Sequence, residues 1–167
     1  IAREVAGNKE DRFRFIQLPL NMTMLEALLL PTQKIEGQQV PLLEAADCLG
    51  IIPVASNSIS QAQIAGHIPE NISSAFDDNL WTDCQRGLQY TRSTPALATA
   101  LVGMKTIEHI EENLALMNVS SLERKNFQKI THSIVQELSI LPNPISRLCS
   151  HLSMLPRFIS QHCKIQR

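Results

Sequence analysis

The chain has 167 residues, with fifteen basic against sixteen acidic side chains for a net charge of −1, and is 44% hydrophobic and 19% charged. That is the composition of a globular domain with one core, and its balanced charge supplies no field to draw it to nucleic acid or to an anionic membrane. Only 4% of residues are aromatic, which leaves little for base stacking, and apolar runs such as Leu28-Leu29-Leu30 stop far short of the roughly 20 residues that span a bilayer.

Ile1 to Ala6 reads as a helix closed by Gly7 and the polar turn Asn8-Lys9-Glu10-Asp11, with no start signal ahead of it, which suggests a piece of a longer protein. Phe13 to Leu18 is a short apolar run between a charged cluster and Pro19, which suits a buried strand. Gln17 inside it then needs hydrogen-bond partners, from neighbouring backbone or from a ligand. Residues 40–49 predict an amphipathic helix: Leu42, Leu43, Ala46 and Leu49 share a face, Pro41 stands near the start and Gly50 just past the end. Ile51 to Ala55 follows as a second strand, weakened by Pro53, which has no ladder donor. The polar loop Ser56 to Gln61 leaves its carboxyl end.

Thr82-Asp83-Cys84-Gln85 has the capping-box pattern and opens a helix to about Arg92, with Trp81, Cys84, Leu88 and Thr91 expected on its inner side. Ala98 to Val102 reads as a third strand, ended by Gly103. The helix after it carries Ile107, Ile110, Leu114 and Met117 at helical spacing. Ser120 with Glu123 caps one more helix, whose stripe is Phe127, Ile130, Ile134 and Leu138, until Pro142 and Pro144 break it. Strand and helix in alternation mean βα units and an α/β fold with a parallel sheet, which needs cover on both faces or closure into a barrel. Three strands alone leave two long unpaired edges.

Residues 141–167 read as a basic, poorly ordered extension, with Arg147, Arg157, Lys164 and Arg167 and no acidic residue from 145 onward. A basic amphipathic helix for a membrane or a partner is the alternative. Cys48, Cys84, Cys149 and Cys163 have no C-x-x-C spacing, and Cys149-x-His151 and His162-Cys163 fit no zinc pattern, so reduced thiols, no metal and a cytoplasmic location are expected. Asn21, Asn71 and Asn118 open N-x-S/T triplets, but Ile1-Ala2-Arg3-Glu4 does not read as a signal segment, so glycosylation is not expected.

Arg92 to Leu114, in which Ala98-Thr99-Ala100-Leu101-Val102 runs into Gly103-Met104-Lys105-Thr106 and on to Glu111-Glu112-Asn113-Leu114, resembles the last strand and following helix of aldo/keto reductases. Phe15-Ile16-Gln17-Leu18-Pro19-Leu20-Asn21 is similar to that family's sixth barrel strand, and Ile52-Pro53-Val54-Ala55-Ser56-Asn57-Ser58-Ile59 to its seventh. The likeness covers residues 1 to about 120. It implies the C-terminal half of a (β/α)8 TIM barrel over residues 1–140: about the last three βα units plus an extra C-terminal helix. The intact barrel would use NADPH to reduce a small-molecule aldehyde or ketone, at a site on the carboxyl ends of the strands.

By the same resemblance, Gln17 binds the nicotinamide carboxamide, and Ser56 takes the position under the nicotinamide ring where the family usually has an aromatic residue and some members a small one. Ser58 and Ile59 belong to the pyrophosphate loop, and Gly103 forms the small-residue turn. Lys105, Thr106 and His109 surround the adenosine 2′-phosphate, and Glu112 and Asn113 hold the adenine. Part of this stands on chemistry alone, because N–H groups at a helix start and a Lys in the turn form a phosphate site. The full charge of Lys105 favours NADP over NAD, and His109, one turn in, donates to the same anion; the alternative is a solvated turn and helix surface.

The family's Tyr, Lys, Asp and His machinery has no counterpart here, since the one tyrosine, Tyr90, falls on a helix. Ala62 stands where the family commonly has Gly, and Pro53 is unusual inside its strand. Three readings follow. The first, which we expect, is an NADP-dependent reductase represented by its cofactor-binding half, lacking the catalytic one. The second is a non-catalytic scaffold or interaction protein, joined to a complementary half-barrel or to its own copies. The third is a membrane-associated module using the basic tail.

Overall fold

A computed structural model of the chain describes residues 2–7, 11–77 and 79–140. The extension expected at 141–167, with Pro142 and Pro144, lies outside the described residues. Helix α1 (Ala2–Ala6) is closed by Gly7, at φ +53°, where a left-handed stop costs glycine nothing. Strand β1 (Phe15–Pro19) follows, then the single turn α2 (Glu26–Leu29). A hairpin, β2 (Gln33–Ile35) and β3 (Gln38–Val40), was not foreseen. It turns on Glu36 and Gly37, both at positive φ, the conformation a two-residue hairpin turn requires.

Helix α3 (Leu42–Leu49) has the predicted ends. Gly50 sits at φ +66°, its N–H reaches the Asp47 carbonyl (3.1 Å), and the Ile51 N–H reaches that of Ala46 (2.9 Å), a Schellman stop. Strand β4 (Ile52–Ser56) lies between β1 and the two-residue β5 (Thr99–Ala100), all parallel. Pro53 is tolerated in this central strand for a geometric reason. Its carbonyl accepts from the Ala98 N–H (3.0 Å), so its missing N–H would point the same way, toward residues upstream of β5 where no ladder exists.

After the single turn α4 (Glu70–Ser73) comes α5 (Asp83–Arg92), opened by the predicted capping box. The Thr82 hydroxyl accepts from the Gln85 N–H (3.1 Å), and the Gln85 side chain accepts from the Thr82 N–H (3.3 Å). Leu88 and Thr91 are buried and Cys84 half-buried as expected, but Trp81 is 83% exposed. It precedes the helix, and the box turns it outward.

Helix α6 (Ile107–Leu114) runs on into a 3-10 turn (Ala115–Asn118), and α7 (Arg124–Ile140) completes the described chain. Phe127, Ile130 and Ile134 are buried on α7 as predicted. Its start lies at Glu123 rather than Ser120. The Ser120 carbonyl accepts from Gln89 Nε2 (2.7 Å) and the Val119 carbonyl from Arg92, which holds the connection extended. No helix among the described residues is long and apolar enough to cross a membrane.

The three-stranded sheet is clothed on one face. Pairing sets Ile16 beside Pro53, and Leu18 beside Ala55 and Ala100. These residues are buried or half-buried under helices, in a core that includes Leu20, Leu43, Tyr90, Phe127 and Ile130. Alternation puts Phe15, Gln17, Ile52, Val54, Thr99 and Leu101 on the other face. Phe15 is 63% and Leu101 46% exposed, so β1 is not the buried strand its composition suggested. The α6 stripe is likewise reversed: Ile107 is 70% and Met117 79% exposed, with Ile110 and Leu114 also open, while Glu112, Asn113 and Leu116 turn inward.

A cleft at the carboxyl ends of the strands

The chain leaving β4 enters a loop in which Asn57, Ser60, Gln61 and Ala62 all have positive φ, between +49° and +64°. Four non-glycine residues in that region are costly unless the surroundings hold them there. Asn21 Nδ2 donates to the Asn57 carbonyl (2.8 Å), while Asn21 Oδ1 accepts from the Thr23 and Met24 N–H groups (2.8 and 3.0 Å). Thr91 Oγ1 donates to the Ser58 carbonyl (3.1 Å), and Ser58 Oγ donates to the Leu101 carbonyl (2.7 Å). Gly87 lets the loop settle on α5, since a Cβ there would stand 2.0 Å from Ile64 Cδ1.

The clamps therefore join the β1 end, the β4 loop, α5 and the β5 end into one rim. At Ala62 the left-handed backbone carries a Cβ penalty of about 1–2 kcal/mol, only partly offset by alanine's smaller unfolded-state entropy. Ala62→Gly is expected to raise stability by about 0.5–1 kcal/mol in urea unfolding; an unchanged or lowered midpoint would mean the loop is unstrained.

Under this rim lies a cleft of about 680 Å3. Seven of the predicted site residues line it: Ser58, Ile59, Gly103, Lys105, His109, Glu112 and Asn113. Gln17 and Ser56 do not. They lie on the open sheet face, Gln17 exposed and Ser56 half-buried with its carbonyl accepting from the Leu20 N–H (3.2 Å). Thr106 caps α6 instead of lining the cleft, its Oγ1 accepting from the His109 N–H (3.4 Å). Its hydroxyl is also the largest influence holding the exposed Glu108 carboxyl below the ordinary range.

The cap leaves the start of α6 facing Lys105 and His109, so backbone dipole and side-chain cation act on the same space. Glu112 has a second attachment: Thr82 Oγ1 donates to its carboxylate, and Gln85 Nε2 to its carbonyl (3.0 Å), fastening α6 to the capped end of α5.

Asn57, Gln61 and Cys84, together with Leu101, Val102 and Met104 at the end of β5, also line the cleft and were not foreseen as site residues. No sequence pattern flags Asn57, Gln61 or Cys84, which meet through packing of the loop on α5. The Cys84 thiol is pushed above its usual range, chiefly by burial and then by the charges of Glu112 and Asp83.

Two details fit a nucleotide. Asn57 Oδ1 is buried in the wall with no donor among the described residues, an acceptor suited to a hydroxyl such as that of a ribose. Gly103 has no heavy atom within 4 Å of where a Cβ would stand, so the strand end leaves room for close backbone approach. A second cavity of about 480 Å3, walled by Ile64, Ile68, Ile72, Ile134 and Leu138, contains none of the predicted residues. Among the described residues no three His, Cys, Asp or Glu side chains converge as a metal site. Comparison with family models, with curated proteins and with solved structures returns no match.

Proposed function

We propose that this chain is the NADP(H)-binding half of a (β/α)8 barrel of the aldo/keto reductase kind, with the cleft under the Asn57–Ala62 loop as the cofactor site. The observation that carries the reading is the convergence of Ser58, Ile59, Gly103, Lys105, His109, Glu112 and Asn113, drawn from two separate stretches of sequence, on one cleft at the strand carboxyl ends. The partial barrel is supported by the parallel order β1-β4-β5, with one sheet face left open among the described residues.

In this reading Lys105 and the start of α6 hold the 2′-phosphate, with His109 donating alongside. Asn57 and Ser58 bracket the pyrophosphate and ribose. Asn113 meets the adenine edge, and Gln17 orients the carboxamide on the open face. Bound NADPH supplies a hydride to a carbonyl carbon. The forming alkoxide then needs a proton, and none of Phe15, Gln17, Ile52, Val54, Ser56, Thr99 or Leu101 on the open face donates one. Tyr90 is fully buried beneath the opposite face. That observation favours, as the second reading, a chain that binds cofactor without reducing anything by itself.

Cys84 reports on the site. Alkylation at mildly alkaline pH, followed by peptide mass mapping, is expected to slow at Cys84 by at least about fivefold when NADPH covers the wall. Labelling unaffected by saturating NADPH would remove the cleft as the cofactor site.

A further inference from the structure

We infer that the cavity between α4 and α7 is a binding site for a small apolar amine, its ammonium group held by Glu137 and its hydrocarbon body by the isoleucines around it. The site is separate from the dinucleotide cleft, and the inference does not rest on the cofactor reading. The loop after β4 divides the two: Asn57, Ser58, Ile59, Gln61 and Ala62 line the cleft, whereas Ser60, Gln63 and Ile64 line the cavity. No residue of the open sheet face enters the cavity wall. Met22, Ile72 and Ile134 belong instead to the core under the helices, so the rest of a barrel, which would close over the open face, does not supply the occupant.

Size and lining suit a small molecule. At about 480 Å3 the cavity falls within the roughly 300–1,000 Å3 of ligand pockets. Its apolar wall is formed mainly by Met22, Ile64, Ile68, Ile72, Ile134 and Leu138. Such a wall alone would accept any hydrocarbon; the polar groups restrict the choice.

Nearly all of those groups are left as acceptors. Asn71 Nδ2 donates to Glu137 Oε1 (2.9 Å), which fixes the carboxylate across the α4–α7 junction and leaves it acceptor sites to spare. Thr23 Oγ1 donates to Asn21 Oδ1 (2.8 Å), so in the contact between Thr23 Oγ1 and Ser60 Oγ (3.1 Å) the serine donates, and both hydroxyl hydrogens are engaged. His67 Nδ1 lies 2.6 Å from the Ala65 carbonyl and so carries the hydrogen of the neutral ring, with Nε2 an acceptor. Only the exposed Gln63 amide offers hydrogens. Among the described residues, no Lys or Arg lines the wall beside Glu137. A half-buried carboxylate next to hydrocarbon calls for a cation, and an ammonium with three donors matches the acceptors around it. A carboxylate or phosphate ligand would meet Glu137 and no counter-charge.

Calorimetric titration of the full chain with 4-phenylbutylamine, and with 4-phenylbutanol as its uncharged counterpart, tests this. The amine is expected to bind one to one and at least about fivefold more tightly than the alcohol, the margin of a charge-assisted over a neutral hydrogen bond. Glu137→Gln keeps an acceptor for Asn71 and removes the charge. It should bring the amine down to the alcohol's affinity and leave the alcohol unchanged. Leu138→Trp, at a half-buried position in the last turn of α7, fills the cavity and should weaken both probes by at least about tenfold. Should that variant fail to fold, Glu137→Gln still decides. Equal affinity of wild type for the two probes, a preference that survives Glu137→Gln, or undiminished binding to folded Leu138→Trp overturns the inference. So does a chain that takes up neither probe, the result if residues 141–167 cover the cavity.

Discussion

Tyr90→Ala is expected to remove about 3–5 kcal/mol, a large part of the stability of a domain this size, and to leave much of the chain unfolded at 37 °C. Tyr90 has no exposed surface and stacks on Phe127 with ring centroids 4.9 Å apart and planes 14° from parallel. Its hydroxyl lies 2.9 Å from Thr131 Oγ1, which itself donates to the Phe127 carbonyl (2.8 Å). The tyrosine thus joins α5 to α7 by packing and by a satisfied polar chain. Tyr90→Phe keeps the packing and leaves the Thr131 oxygen one donor short, a loss of about 1 kcal/mol.

Burial also raises the Tyr90 phenol above its ordinary range. The unfolded phenol titrates near pH 10, so the stabilising difference is fully present below about pH 10 and is lost as pH rises beyond it. Urea unfolding should show the wild-type midpoint falling between pH 9 and pH 11, and Tyr90→Phe should fall less. A Tyr90→Ala midpoint equal to wild type would contradict the packing account.

Lys105→Ala is expected to weaken NADPH binding by about 10- to 100-fold and to leave NADH binding unchanged, because a charge-assisted hydrogen bond contributes about 1.5–3 kcal/mol. Lys105 is exposed at the cleft mouth, so its removal leaves the fold intact. His109→Ala, which removes a donor and no fixed charge, should cost NADPH only a few-fold. Calorimetric titration separates the two cofactors. Equal weakening of both by Lys105→Ala would mean that Lys105 positions the loop instead of reading the 2′-phosphate.

Local chemistry was legible in the sequence. The α5 capping box and the Gly50 stop of α3 follow from side chains within a few residues of each helix end, and both formed where expected. The β2–β3 hairpin was not legible, because Gln33, Gln38 and Gln39 mask alternation and Glu36 gives no hint of positive φ. Period tells which residues share a face and is silent on which side water lies. Ile107, Ile110 and Leu114 do share a face of α6, and Phe15 and Gln17 a face of β1, yet both faces are open. The α7 start moved to Glu123 because Gln89 and Arg92, about thirty residues upstream, hold the carbonyls before it. In the cleft, Lys105 and His109 were legible from their place at a helix start, whereas Asn57 and Cys84 reach it through tertiary packing alone.

Calorimetric titration of the wild-type chain with NADPH and then NADH decides whether the cleft takes a 2′-phosphorylated dinucleotide, as proposed. Saturable one-to-one binding of NADPH is expected, with NADH weaker by at least about tenfold. Equal affinity for the two, or no binding of either by the folded chain, would contradict it.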